Sequence, residues 1–153
     1  MIKRELELHR LNTKCENRVQ MAAGRLVTHA FQYGGYIGTH LIVGGYDVKG
    51  PQLIECSSDG MSKASPFATT GSGSLAAMAV LEVGFREGMN QDEATALVVK
   101  AIEAGIYHDL GSGSNVDVAI IKKGKVEYLR NLKSDNFKVF SKPDGYQFRD
   151  ERV

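Results

Sequence analysis

The stretches "TTGSGSLAAMAV", residues 69–80, and "HDLGSGSNVDVAII", residues 108–121, share the tetrapeptide Gly-Ser-Gly-Ser. The first copy precedes a run rich in Ala, Met, Leu and Val, and the second follows a segment of helical period. A glycine-rich segment at a helix end can bind a phosphate, cap the helix or bring catalytic side chains together. The rest of the chain decides among these three possibilities.

The first half of the chain predicts helices followed by a hairpin. Apolar residues recur at every third or fourth position over residues 15–33, which is the helical period. A shorter amphipathic stretch, residues 2–11, precedes them. Two β-rich runs, residues 40–48 and 52–57, flank a Lys-Gly-Pro turn and predict a β-hairpin.

The second half predicts two consecutive helices followed by another hairpin. A short strand over residues 66–70 leads into a helix over 75–85 that is apolar nearly all round, so we expect it to be buried on more than one side. Asn90, with Glu93 three positions later, is typical of a capping box, and the helix that follows is predicted to reach about Leu110.

Residues 116–129 alternate and turn at Lys123-Gly124, which predicts a second hairpin. The tail, residues 131–153, is polar and aperiodic and is expected to form an extended arm. These elements indicate an α+β fold in which helices cover one face of an antiparallel sheet. Both hairpins are apolar enough to be buried on both faces, so further strands are expected from elsewhere.

Composition excludes several classes of protein. The chain has 153 residues, of which 42% are apolar and 24% charged, and a net charge of +1. It is therefore the size of one soluble domain, with no electrostatic reason to bind nucleic acid or an anionic membrane. Two cysteines and four histidines show no metal-ligand spacing, so we expect reduced thiols and no metal. There is no membrane-spanning run or secretory signal, so the chain is expected to stay inside the cell.

A phosphate-binding function is a real competitor for the first copy. Gly71, Gly73 and Ala76 satisfy the dinucleotide fingerprint G-x-G-x-x-A between a predicted strand and a helix. That fingerprint belongs to a strand–helix–strand unit, and here a second helix follows the first without a returning strand. The pattern therefore disfavours a dinucleotide-binding domain.

Helix capping is the simplest alternative for both copies. Ser72 or Ser74 could be the N-cap of the buried helix, with the glycines allowing close packing. In the second copy, Gly111 could end the preceding helix in a left-handed conformation, with Ser112 and Ser114 solvated. Judged on the residues alone, capping is the favoured interpretation.

Three long segments in register carry a family resemblance. The runs "THLIVGGYDVKGPQL", "TTGSGSLAAMAVLE" and "AIEAGIYHDLGSGSNVDVAII" resemble the β-subunit family of the proteasome core particle. Within it, they are similar to the trypsin-like type at the second position of the β-ring or to its immune counterpart. The resemblance covers residues 6–130 in order, which makes it far more specific than a lone glycine fingerprint.

The resemblance implies a fold, partners and a location. The fold would be the αββα sandwich of the N-terminal nucleophile hydrolases, here incomplete because its N-terminal strands are missing. Residues 1–131 would form the β-type domain, and residues 132–153 a C-terminal extension that either embraces a neighbouring subunit or is a solvated, disordered tail. Partners would be other β subunits, the α ring and polypeptide substrates, with no cofactor, nucleic acid or membrane. The location would be cytoplasm and nucleus.

The resemblance also implies a chemistry. In the family, a threonine at the mature N-terminus attacks the peptide carbonyl, and its own α-amine takes the hydroxyl proton. An acid and two serines support that amine, and by motif match they are Ser72, Asp109 and Ser112. The two Gly-Ser-Gly-Ser segments are thus expected to converge on one site.

The chain also departs from the family's pattern. Residue 1 is methionine, and the segment that would carry the nucleophilic threonine is expected to be missing. Thr69-Thr70-Gly71 looks like a mature start, but Ala68 stands where the self-cleaving glycine should be, so both threonines are interpreted as strand residues. The chain alone is expected to lack peptidase activity. The alternative to a protease subunit is a non-catalytic structural or assembly-competing variant.

Overall fold

A computed structural model gives the fold and describes residues 1–133 and 144–145. All strand pairings in this part of the chain are antiparallel, so the fold is of the α+β class, as predicted. Its helices and strands, in chain order, are α1 (Ile2–Thr13), α2 (Val19–Gln32), β1 (Leu41–Asp47), β2 (Gly50–Cys56), β3 (Ser62–Ala64), α3 (Ser74–Gly84), α4 (Gln91–His108), β4 (Val116–Lys122) and β5 (Lys125–Lys133).

The strands form two sheets, β1-β2-β3 and β4-β5, rather than one. Two adjacent glycines of β1 show how the sheets are layered. A side chain at Gly45 would meet Val19 of α2, whereas one at Gly44 would meet Ile121 of β4. Because successive strand residues face opposite sides, α2 lies on one face of the larger sheet and β4 on the other.

Helices α3 and α4 cover the far side of the smaller sheet. Val99 and Ile106 of α4 pack with Val116 of β4, and α3 packs against α4 in turn through Ala77 and Leu81. Helices therefore lie on both outer faces of the pair of sheets. The prediction of helices on one face only is wrong, because α2 packs on the larger sheet and α4 on the smaller one. The expected burial of both faces of each hairpin is not seen either, since Ile42 and Ile121, on the sides where the sheets meet, are 38% and 40% exposed.

Helix α3 is less enclosed than its composition predicts. Ala77 and Leu81 are buried against α4, but Leu75 and Val83 are 84% and 90% exposed. Among the described residues, only one side of α3 is covered, so the prediction of burial on more than one side is wrong. Composition reports how apolar a helix is, whereas its partners decide which side is buried.

Helix α2 begins at Val19, four residues later than its periodicity predicts, because a distant carboxylate binds its first turn. Asp47, at the end of β1, has a side chain only 2% exposed. Its Oδ2 accepts hydrogen bonds from Arg18 Nε at 2.9 Å and Val19 N at 3.0 Å. Its Oδ1 accepts from Lys49 N at 2.8 Å and Gln52 Nε2 at 3.2 Å.

These donors stabilise the ionised form of Asp47. The hydrogen bond from the Arg18 side chain, followed by that from the Lys49 backbone, lowers the pKa of Asp47 from 3.8 to about 2. Asp47 therefore stays ionised although it is buried, and it joins the end of β1 to the start of α2.

Two predicted boundaries near the strands also need correction. Residues 66–70 form no strand; β3 is instead Ser62–Ala64, a polar segment whose pairing is set by the turn that follows β2. Thr69 and Thr70 are therefore not strand residues. Strand β5 runs on to Lys133, so the first three residues of the predicted arm belong to it. The rest of that arm lies almost entirely outside the described residues.

The second helix after the glycine-rich segment follows its prediction closely. Asn90 Oδ1 accepts from Glu93 N at 2.9 Å, and Glu93 Oε2 accepts from Asn90 N at 3.0 Å, so the capping box is formed. Helix α4 then runs for 18 residues and ends at His108. The end of α4 places the second Gly-Ser-Gly-Ser segment next to the first one.

Candidate functional site

Three side chains from the two Gly-Ser-Gly-Ser regions meet in one cluster. Ser72 Oγ donates to Asp109 Oδ2 at 2.5 Å, and Ser112 Oγ donates to the same oxygen at 2.6 Å. Such short distances are typical of hydroxyls bound to an ionised carboxylate. The structure thus brings together Ser72, Asp109 and Ser112, while their catalytic role stays a prediction.

The turn after α4 wraps around the carboxylate. Asp109 N donates to Gly105 O at 2.9 Å and so continues the helical hydrogen bonds by one residue. Gly111 N donates to Asp109 Oδ1 at 3.2 Å, and Ser112 N donates to Asp109 O at 3.2 Å. Asp109, the C-cap that follows α4, has an extended conformation, and Gly111 does not have a positive φ. The predicted left-handed cap at Gly111 is therefore wrong.

The loop before α3 presents Ser72 to this turn. Gly71 has a φ of +105°, which favours glycine, and its carbonyl accepts from Ser74 N at 3.1 Å. The N-cap of α3 is Gly73, with no side-chain hydrogen bond to the helix. The interpretation of Ser72 or Ser74 as the N-cap is therefore wrong. The Ser72 hydroxyl is instead directed to Asp109, 37 residues further along the chain.

Gly105 contributes to this arrangement, and the sequence analysis missed it. A Cβ on Gly105 would lie 3.4 Å from Gly73 O, so the last turn of α4 and the start of α3 are in backbone contact. The available signal was a glycine inside a helical pattern, which commonly marks a close packing contact.

The cluster is suited to holding a cationic amine. A serine hydroxyl has one donor and two acceptor positions. Because Ser72 and Ser112 both donate to Asp109, their oxygens are left as acceptors beside a negative charge. Ser72 is exposed, and Asp109 and Ser112 are half-buried, so an incoming group can reach them. An ammonium group could donate to the serine oxygens and be stabilised by the carboxylate.

A cleft of about 370 Å³ adjoins the cluster at Ser112. Threonines 69 and 70 and Asn115 supply polar groups to its wall, and Ile42, Ile102 and Ile106 supply apolar surface. Mixed lining of this kind suits an extended peptide segment better than a highly charged ligand.

Metal sites, membrane-spanning helices and dinucleotide sites each require features of their own. In residues 1–133 and 144–145, no group of three His, Cys, Asp or Glu side chains could hold a metal ion. Helices of the same part of the chain are all too short or too polar to cross a bilayer. The dinucleotide fingerprint also lacks its context, since residues 66–70 form no strand and the described strand pairs are antiparallel.

Comparison with known proteins places the chain in a family. A family model described as "Proteasome subunit" matches residues 1–121. The proteasome subunit beta type-7-B of Arabidopsis thaliana is 45% identical over 148 residues, which are 97% of this chain and 54% of the relative. The beta type-2 subunit of Saccharomyces cerevisiae is 44% identical over 149 residues, 97% of this chain and 57% of the relative.

The beta type-10 subunit of Bos taurus is 43% identical over 143 residues, 94% of this chain and 52% of the relative. The chain thus spans about half the length of the curated relatives it matches. Ser72, Asp109 and Ser112 all lie within the residues matched by the family model. The family match and these identities agree with the resemblance carried by the Gly-Ser-Gly-Ser segments: the chain belongs to the proteasome β-subunit family.

Proposed function

We propose that this chain contributes to a threonine-type endopeptidase of trypsin-like specificity, as part of a β subunit in the proteasome core particle. The observation that carries the proposal is the cluster in which Ser72 and Ser112 both donate to Asp109 Oδ2, at 2.5 and 2.6 Å. Its partners would be the other β subunits and the α ring. Its substrates would be ubiquitin-targeted polypeptides in the cytoplasm and nucleus.

The proposed chemistry uses a threonine nucleophile supplied from outside residues 1–153. An α-amine has a pKa near 8, so its neutral form can take the proton of the threonine hydroxyl as that oxygen attacks the peptide carbonyl. The ammonium then donates to the Ser72 and Ser112 oxygens and is stabilised by Asp109. It later returns its proton to the leaving amine as the peptide C–N bond breaks, and water then hydrolyses the threonine ester to release the acyl group. Without the nucleophile, residues 1–153 would catalyse no peptide cleavage.

Two further features agree with this proposal. The layer order, helices outside two packed sheets, supports an N-terminal nucleophile hydrolase sandwich, whose remaining strands would come from outside these residues. The cleft beside Ser112 offers space for an extended segment next to the cluster. The preference for a basic residue before the scissile bond rests on the resemblance to the trypsin-like type.

Asp109→Asn tests the proposal in the full-length subunit, in core particles purified through a tag on it. Asparagine keeps the size of the side chain but removes the charge that stabilises the ammonium. Cleavage of a peptide with Arg before the scissile bond should fall about 100-fold, the usual range for an acid–base group. Cleavage of peptides with an aromatic or an acidic residue there should stay the same.

Asp59→Asn is the matched control, because Asp59 also accepts from a serine hydroxyl and a backbone amide, Ser57 Oγ and Met61 N, on the β2–β3 turn. It should leave all three activities intact. Unchanged cleavage after Arg in the Asp109→Asn particles would refute the proposal. It would favour a non-catalytic member that takes part in assembly only.

A further inference from the structure

The start of α3 and the end of α4 meet through two glycines, Gly73 and Gly105. Gly73 precedes α3 as its N-cap, and Gly105 lies buried in the last turn of α4. This contact lies one residue from Ser72 and four residues from Asp109.

Space, rather than backbone conformation, favours glycine at position 73. Its φ of −85° and ψ of 5° are open to any residue. A Cβ there, however, would lie 3.2 Å from Gly105 Cα, 3.3 Å from Gly105 O and 3.2 Å from Ser112 Oγ. Two of these atoms are backbone, so they cannot rotate away, and a methyl group would force the loop and the helix apart by a few tenths of an ångström.

The same contact fixes the geometry of the cluster. Gly105 O accepts the amide hydrogen of Asp109, and Gly73 directly follows Ser72. The third neighbour of the missing Cβ, Ser112 Oγ, itself donates to Asp109. A methyl at position 73 would therefore disturb both hydroxyl contacts of Asp109 at once.

We propose that Gly73 is a positioning residue for the cluster, because the absence of a side chain there lets Ser72 and Ser112 bind the same oxygen of Asp109. The proposal rests on the proposed function for its effect on activity. Its geometric part can be tested without that function.

The chain offers graded controls for this proposal. A Cβ at Gly105 would lie 3.4 Å from Gly73 O and 3.9 Å from Gly73 C and Cα, which are ordinary van der Waals contacts. A Cβ at Gly24, inside α2, would meet nothing within 4 Å. Alanine should therefore be tolerated at position 24, tolerated with a small adjustment at 105, and disruptive at 73.

The experiment places Gly73→Ala, Gly105→Ala and Gly24→Ala in the full-length subunit and measures three quantities. These are incorporation into core particles, the kcat and KM for a peptide with Arg before the scissile bond, and the Ser–Asp distances in a structure of the particles. Gly73→Ala should lower kcat about tenfold with KM unchanged. A misplacement of about 1 Å can cost 100-fold in rate, and the shift expected here is a few tenths of an ångström. Gly105→Ala should stay within about threefold and Gly24→Ala should match the parent.

Incorporation should be the same for all three variants, which separates a positioning effect from misfolding. In Gly73→Ala, at least one of the two serine oxygens should lie a few tenths of an ångström further from Asp109 Oδ2 than in the parent. Retained distances would overturn the proposal, as would equal losses of kcat in Gly73→Ala and Gly105→Ala. If Asp109→Asn leaves activity intact, the proposed function fails, and the distances alone then decide whether Gly73 positions the cluster.

Discussion

Asp47 and Asp109 each accept several hydrogen bonds, but their donors differ in kind. Asp47 is buried and accepts from fixed donors: a guanidinium, two backbone amides and a side-chain amide. Asp109 is half-buried and accepts on one oxygen from two serine hydroxyls. The donors of Asp47 cannot pass a proton on at neutral pH, whereas hydroxyls can rotate and both give and accept one.

This difference indicates that the residues around Asp47 stabilise the fold, whereas those around Asp109 serve the proposed chemistry. The Asp47 region joins β1, a strand of the larger sheet, to α2, the helix that covers the outer face of that sheet. The Asp109 region joins the ends of α3 and α4 beside a cleft. Substitutions around Asp47 should therefore alter stability most, and those around Asp109 should alter stability little.

Asp47→Ala should give the largest loss of stability. It leaves the Val19 amide and the Arg18 guanidinium without their carboxylate, and a buried donor without a partner is costly. The melting temperature of the purified chain, measured by calorimetry, should fall by roughly 5 °C or more. Hydrogen exchange in the peptide that begins α2 should also be faster.

Asp59→Ala is the control for that loss, because Asp59 is an exposed turn residue. It should change the melting temperature by less than about 2 °C. Equal losses in the two variants would remove the distinction drawn for Asp47.

The pH dependence of stability should carry the signature of Asp47. Its pKa in the folded state is about 2, below the ordinary value of 3.8. The unfolded chain thus binds more protons between these values, so the contribution of Asp47 is complete above about pH 4 and is lost as the pH falls towards 2. Urea denaturation of the parent and of Asp47→Asn, repeated from pH 5 to pH 2, should show curves that converge at the acid end. Parallel curves would contradict this origin.

Arg18→Gln should have a smaller effect than Asp47→Ala. The Arg18 side chain is 38% exposed, and partly exposed ion pairs add little to stability. Asp47 would keep its backbone donors, Val19 and Lys49. We expect a fall in melting temperature of about 2–3 °C by calorimetry. A fall as large as that of Asp47→Ala would assign the whole effect to the ion pair.

Ser72→Ala and Ser112→Ala should change stability least. Ser72 is exposed and Ser112 half-buried, so each loses one hydrogen bond that water can partly replace. The melting temperature should fall by about 1 °C for Ser72→Ala and about 2 °C for Ser112→Ala. Losses comparable to that of Asp47→Ala would show that the cluster is a structural brace.

Local patterns predicted the elements that depend on local contacts. The capping box at Asn90, the helix that follows and both hairpins were predicted from periodicity and turn residues. The late start of α2 was not predicted, because Asp47 binds its first turn from 28 positions away. Strand β3 was misplaced for a related reason: its residues are polar and its place is set by pairing with β2.

In the site, too, local features were predicted from the sequence pattern, but contacts between distant residues were not. Periodicity placed each Gly-Ser-Gly-Ser segment at a helix end, and on that basis capping was favoured. Only the family resemblance predicted that Ser72, Asp109 and Ser112 would meet, since a contact across 37 residues leaves no periodic signal. Neither the periodicity nor the family resemblance predicted the contact between Gly105 and Gly73, because the role of a glycine in packing depends on the residue that lies opposite it.

The central claim, that the cluster acts as one catalytic unit, is tested most directly by a double-mutant cycle in core particles. The cycle compares kcat for cleavage after Arg in Ser72→Ala, Asp109→Asn and the double variant. Residues that act as a unit give non-additive losses, so the double variant should be no slower than Asp109→Asn alone. Losses that multiply in the double variant would contradict the claim, because Ser72 would then act independently of Asp109.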